Sequence, residues 1–184
     1  AGADTVHLTG YHARAVGIRN WYGTYDMAHL GVGWCIDPHV DAPPDPDLAY
    51  APDGVAETDD HVRAAMAWAV GRNEHPDRAS AAAVTLVLHD LLGRHYEGSP
   101  LNVDHLDPSS LEGFEGAEAH VVARAREIKA EAWTHAHLRG PFSLQIITPE
   151  APAQIELEEA AVSRPPSRSS FTPLIASRLA SKRM

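Results

Sequence analysis

The apolar positions change period twice along the chain, and that change predicts the order of elements. Residues 4–36 are rich in aromatic and β-branched side chains, with Gly23, Gly31 and Gly33 as punctuation. They read as short strands and turns. Five of the 14 prolines fall between Pro38 and Pro52, which predicts a loop. From residue 60 the period becomes helical. Val62, Met66, Ala69 and Val70 share a side, with Ala65 at its flank. Thr58, Asp59 and Asp60 are candidate caps for a helix over 60–72. Asn73, His75, Pro76 and Asp77 make a turn, and Val84, Leu88 and Leu91 or Leu92 mark a second helix over 78–92. The pair reads as an αα-hairpin.

Residues 93–113 read as loop, and an Ala- and Glu-rich segment predicts a third helix over 114–135, with Val121, Val122, Ala125, Ile128 and Trp133 as its larger apolar residues. Gly140 and Pro141 stop it. Alternation returns at Phe142–Ile147, a strand closed by Pro149, and residues 154–162 are a further strand candidate. The expected fold class is therefore α+β: an antiparallel β-sandwich or barrel-like body with an inserted helical subdomain at about 59–136. Residues 1–160 form the expected module. Residues 161–184, rich in Pro and Ser, are expected to be a poorly ordered basic tail.

Composition sharpens this picture. The 184 residues suffice for a core without staples. The formal net charge is -10, which disfavours a phosphate backbone as partner of the body. The charge is uneven: Arg164, Arg168, Arg178, Lys182 and Arg183 lie in a tail without acids, and the other 10 basic and all 25 acidic residues precede it. No stretch is long and apolar enough to span a bilayer. The opening AGADTVHL fits a mature end after a small-residue cleavage site, so a secreted or cell-surface location is expected. Without heptads or a long exposed edge pattern, a monomer is expected.

The chemical signals are sparse. Dinucleotide-binding, P-loop, zincin and nucleophile-elbow signatures are absent, so no cofactor is expected. The 12 histidines include His39, His61, His89 and His105 beside carboxylates, but no spacing matches a metal site. The acids Asp37, Asp41, Asp45 and Asp47 lack the spacing of a calcium loop and are broken by prolines. Cys35 is the single cysteine, so no intrachain disulfide forms. A lone cysteine is usually a small buried hydrophobe. As a nucleophile it would need a base, and His39 and His89 are the candidates.

Two short motifs carry a resemblance. Trp34-Cys35-Ile36 is followed by Asp37-Pro38 and a Pro-rich run to Tyr50, and the second predicted helix reads Ala81-Ala82-Ala83-Val84-Thr85-Leu86-Val87-Leu88-His89-Asp90. In this order the chain, over about residues 5–148, resembles the thioester domains of Gram-positive, particularly actinobacterial, surface proteins. The resemblance implies an early-strand cysteine bonded to a glutamine on the helical part, and covalent attachment to a host or surface nucleophile. Here Thr85 occupies the glutamine position and His89 the aromatic one. A threonine hydroxyl cannot acylate a thiol. The two glutamines are Gln145 and Gln154, and only Gln145, on a late strand, is a candidate to approach Cys35. The resemblance thus implies an adhesion module that has lost its bond, with a host or cell-surface protein or glycan as partner. Trp21, Tyr22, Tyr25, Trp34 and Thr85 are its candidate contact residues. The alternatives are a structural spacer without ligand and a thiol-dependent enzyme using Cys35 and His89.

Overall fold

The computed structural model describes residues 7–27, 31–39, 50–52, 59–138, 140–142, 144–149 and 175–178. Its order is β1 (His7–Ala15), β2 (Ile18–Asp26), β3 (Val32–Cys35), β4 (Tyr50–Pro52), α1 (Asp60–Arg72), α2 (Arg78–Leu91), β5 (His95–Tyr96), β6 (Ser99–Pro100), β7 (Leu111–Glu112), α3 (Glu118–His135), β8 (Leu144–Pro149) and β9 (Ile175–Arg178). Seven strands form one antiparallel sheet in the order β4-β8-β9-β3-β2-β1-β7, and β5 and β6 form a separate hairpin. The fold is mixed α+β. The large sheet ends on β4 and β7 and is not closed into a barrel. Among the described residues its partner layer is helical, where a sandwich would place a second large sheet.

Local chemistry explains most boundaries. Asp59 caps α1 by accepting from the His61 amide at 2.7 Å, and Asp77 caps α2 by accepting from the Ser80 amide at 2.7 Å. The hairpin between β1 and β2 turns on Val16 and Gly17, both at positive φ (45° and 79°), the geometry of a tight two-residue turn. Val16, a β-branched residue, is held there by packing against the core and by its amide bond to the Ser110 carbonyl at 3.0 Å. The third helix begins at Glu118, four residues later than its composition predicts, because Glu115 and Gly116 take positive φ and break the helical path.

Three further expectations change. Tyr50–Pro52, inside the predicted proline loop, is a strand; Pro52 is tolerated because β4 lies at the sheet edge. Residues 93–113 are not featureless: they hold β5, β6, β7 and two short 3₁₀ turns. Ile175–Arg178, expected in a poorly ordered tail, form β9 in the sheet interior, pairing with both β3 and β8. The strand candidate at 154–162 and the rest of the tail lie outside the described residues.

The core lies between sheet and helices. Tyr11, Ala13 and Ala15 of β1, Tyr22 of β2 and Trp34 of β3 meet α2, and α3 closes the far side. In α2, 12 of 14 residues are buried, so this helix is a middle layer and not an amphipathic surface helix. Its run of small residues, Ala79 to Ala83, lets the sheet and α3 approach it from opposite sides. Lys129 of α3 fastens the loop after β6: its ammonium lies 2.9 Å from Asp90 and 2.8 Å from Asp104, and Asp90 also accepts from the Val103 amide at 2.8 Å.

Candidate functional site

The strand β3 and the helix α2 meet through Trp34, Cys35 and His89. The Trp34 indole donates to the Ala81 carbonyl at 3.3 Å, and the Thr85 hydroxyl donates to that same carbonyl at 3.2 Å. One turn further along α2, His89 Nε2 lies 3.0 Å from the Cys35 carbonyl oxygen. A carbonyl only accepts, so Nε2 carries the proton. In the neutral ring Nδ1 is then an acceptor, and it takes the Tyr96 hydroxyl at 2.5 Å. Tyr96 in turn interacts with the Tyr22 hydroxyl, which donates to the Ile18 carbonyl at 2.7 Å.

This chain of polar groups is sealed. Trp34, Tyr22, Thr85, His89 and Tyr96 are all buried. Burial dominates their proton affinities. It lowers His89 to about 4, despite the bond to the Cys35 carbonyl. It raises Tyr22 to about 12 and moves Tyr96 well above the ordinary phenol value. The network is therefore neutral at physiological pH, and each proton has an assigned acceptor.

The thiol stands apart from this network. Successive side chains of a strand point to opposite faces. Trp34 and Ile36 belong to the main core cluster and face the helices, whereas Cys35 does not belong to it. Cys35 is nonetheless buried, as are Tyr25 and Met27, which also lie outside that cluster. The thiol donates to the Asp37 carbonyl at 3.2 Å, and burial pushes it up to about 12. A nucleophilic thiolate needs the opposite shift. The sequence brings Cys35 and His89 together only through the Cys35 backbone. The expected Cys35–His89 thiol–imidazole pair is not formed, because α2 lies on the other side of the sheet from the sulfur.

Thr85 faces its own helix carbonyl. Gln145 pairs with Ser177 and Ser177 with Gly33, whereas the line through Cys35 runs by Ile175 to Ile147. The backbone of Gln145 is thus two strands and two residues away from Cys35, on the order of 10 Å.

The candidate contact residues divide in the same way. Tyr22, Tyr25, Trp34 and Thr85 are buried and present no surface. Trp21 is half-buried on the sheet face that points away from α2, where His7 stacks on it at 4.6 Å and His12 meets its edge at 4.8 Å. Sequence reasoning missed Tyr96, which stands in a segment read as loop and reaches the site only because β5 folds back over the end of α2. It also missed the exposed arginines Arg14 and Arg19 beside Trp21; strand alternation around the Val16-Gly17 turn is the signal that could have found them.

Among the described residues no three His, Cys, Asp or Glu side chains are placed to hold a metal ion, and no helix is long and apolar enough to cross a membrane. No family model, no curated protein and no solved structure matches this chain.

Proposed function

We propose that this chain is a secreted or cell-surface adhesion module that binds a host or cell-surface protein or glycan without a covalent bond, a relative in layout of the thioester domains in which the reactive junction has become a packed one. The observation that carries the reading is the orientation of Cys35. Its carbonyl is tied to His89 on α2 while its thiol points to the opposite face, protonated and bonded to the Asp37 carbonyl. The strand-on-helix contact survives as structure, and binding falls to the surface.

Two measurements test this. Intact mass of the denatured, unreduced protein should equal the plain sequence sum. Partners captured from a panel of surface proteins and glycans should dissociate on denaturation. A mass deficit of about 17 Da, from ammonia lost when a thiol is acylated by glutamine, together with methylamine uptake at Gln145, would restore covalent adhesion (the mass follows from thioester stoichiometry). The burial of Tyr22, Tyr25 and Trp34 favours one competing reading, a structural spacer; a panel in which nothing binds would select it.

A further inference from the structure

Among the described residues no helix lies on one face of the β1–β2 hairpin. Tyr11, Ala13 and Ala15 point to α2, so His12 and Arg14 point away, and across the ladder Trp21 pairs with His12 and Arg19 pairs with Arg14. Arg14, Arg19 and His12 are exposed. Like charges directly opposite on a sheet repel each other. Among the described residues neither guanidinium has a hydrogen bond or an ion pair. Glu112 of β7 is the backbone partner of Arg14 on its other side, yet the two form no ion pair. Two guanidinium groups uncommitted among the described residues therefore stand together on a protein whose net charge is -10. Beside them is a wall of rings: the half-buried Trp21, with His7 stacked on it and His12 at its edge. The indole nitrogen of Trp21 already donates to the Thr24 carbonyl at 2.9 Å, so this ring offers surface and no hydrogen bond.

We propose that this strip is a binding site for an acidic saccharide, with a uronate carboxylate or a sulfate held between Arg14 and Arg19 and the apolar face of the sugar against Trp21 and His12. The inference rests on the adhesion-module reading and names the partner's chemistry. Paired guanidinium groups match the bidentate geometry of carboxylate and sulfate oxygens. An anion between them also removes the cross-strand repulsion. The adjoining ring wall selects a ligand with a C–H face over a bare ion. Two arginines are too few to hold a nucleic acid backbone against the acidic body.

The test titrates the full chain with an oligogalacturonate and with a chondroitin sulfate oligosaccharide, using maltohexaose and a poly-glutamate peptide of matched charge as controls. Both acidic sugars should bind at millimolar concentration or better and more weakly as salt rises. Arg14→Gln and Arg19→Gln should each weaken binding by about tenfold. Glu112→Gln should strengthen it, because it removes an acid that sits opposite Arg14 in the sheet. Trp21→Ala should weaken sugar binding at any salt concentration. The arginines are exposed, so circular dichroism should find these variants folded. A preference for uronate over sulfate, or the reverse, names the anion. Maltohexaose or poly-glutamate binding as well as the acidic sugars would overturn the proposal, as would no binding of either acidic sugar, or binding untouched by Arg14→Gln and Arg19→Gln. Partners that bind elsewhere on the chain would leave the adhesion reading standing while this site falls.

Discussion

Burial raises Cys35 to about 12 and lowers His89 to about 4, and both shifts make stability depend on pH. The unfolded thiol titrates near its ordinary value of 9.0, so its contribution is complete below that pH and is lost as pH rises toward 12. His89 acts at the other end. Its contribution is complete above 6.5 and is lost as pH falls toward 4, by about 3 kcal/mol in all. Urea unfolding at pH 7 and at pH 4 should show this loss, and His89→Gln should flatten the acid limb. In the native state iodoacetamide should leave Cys35 unmodified at neutral pH and should alkylate it once urea unfolds the chain; rapid native labelling would show the thiol to be accessible. Thr85→Gln is the sharpest residue-scale test of the lost-bond reading. Because the thiol lies on the other face of the sheet, restoring the glutamine should produce no mass deficit, and overpacking should cost about 1–3 kcal/mol in a urea titration.

At the scale of elements, two contacts set the geometry of the candidate site. The first is α2 as a middle layer. Leu86 is fully buried between sheet and helices, so Leu86→Ala should destabilise by about 2–5 kcal/mol in chemical denaturation. The second is the close approach of β1 and β2. Gly10 and Gly23 are cross-strand partners, and a methyl group added at Gly23 would come within 2.2 Å of the Thr9 carbonyl oxygen. That oxygen belongs to backbone and cannot swing aside. Gly23→Ala should therefore shift the strands apart and cost about 1–3 kcal/mol, a change that urea titration would detect. The helices themselves were legible in the sequence because their signals are local: Asp59 and Asp77 cap at the positions their side chains favour, and α1 and α2 start where those caps place them. The late start of α3 was not legible, since nothing in a glutamate side chain signals the positive φ that Glu115 takes.

For the whole molecule, β9 is the element that closes the sheet. It joins β3, which carries Trp34 and Cys35, to β8 and thence to β4. Amides of Ile175–Arg178 should therefore exchange as slowly as those of β3 in a hydrogen-exchange experiment; exchange at the rate of an unstructured peptide would remove β9 from the sheet. Nothing in the composition of residues 161–184 signals this strand. A four-residue strand gains its hydrogen bonds from partners 28–34 and 140–144 residues away in the chain, and local propensity carries no trace of them.

The sequence by itself determined the class of fold, the three helices, the early strands and β8, and the acidic character of the surface. Each of these depends on period, caps and charge within a short window. It also determined that Thr85 cannot acylate Cys35, since that is a matter of functional groups alone. Only the tertiary structure decided which face of the sheet each residue occupies. Trp34 and Cys35 are neighbours in sequence, yet one reaches the helices and the other turns away, because α2 docks on a single face and alternation assigns the rest. The same rule buried Tyr22, one of the aromatic residues read as contacts, and set Arg14 and Arg19 side by side on the open face. Pairing across a sheet is a long-range choice, settled by the global burial of one face, and this is why the site's chemistry followed from the fold and not from its motifs.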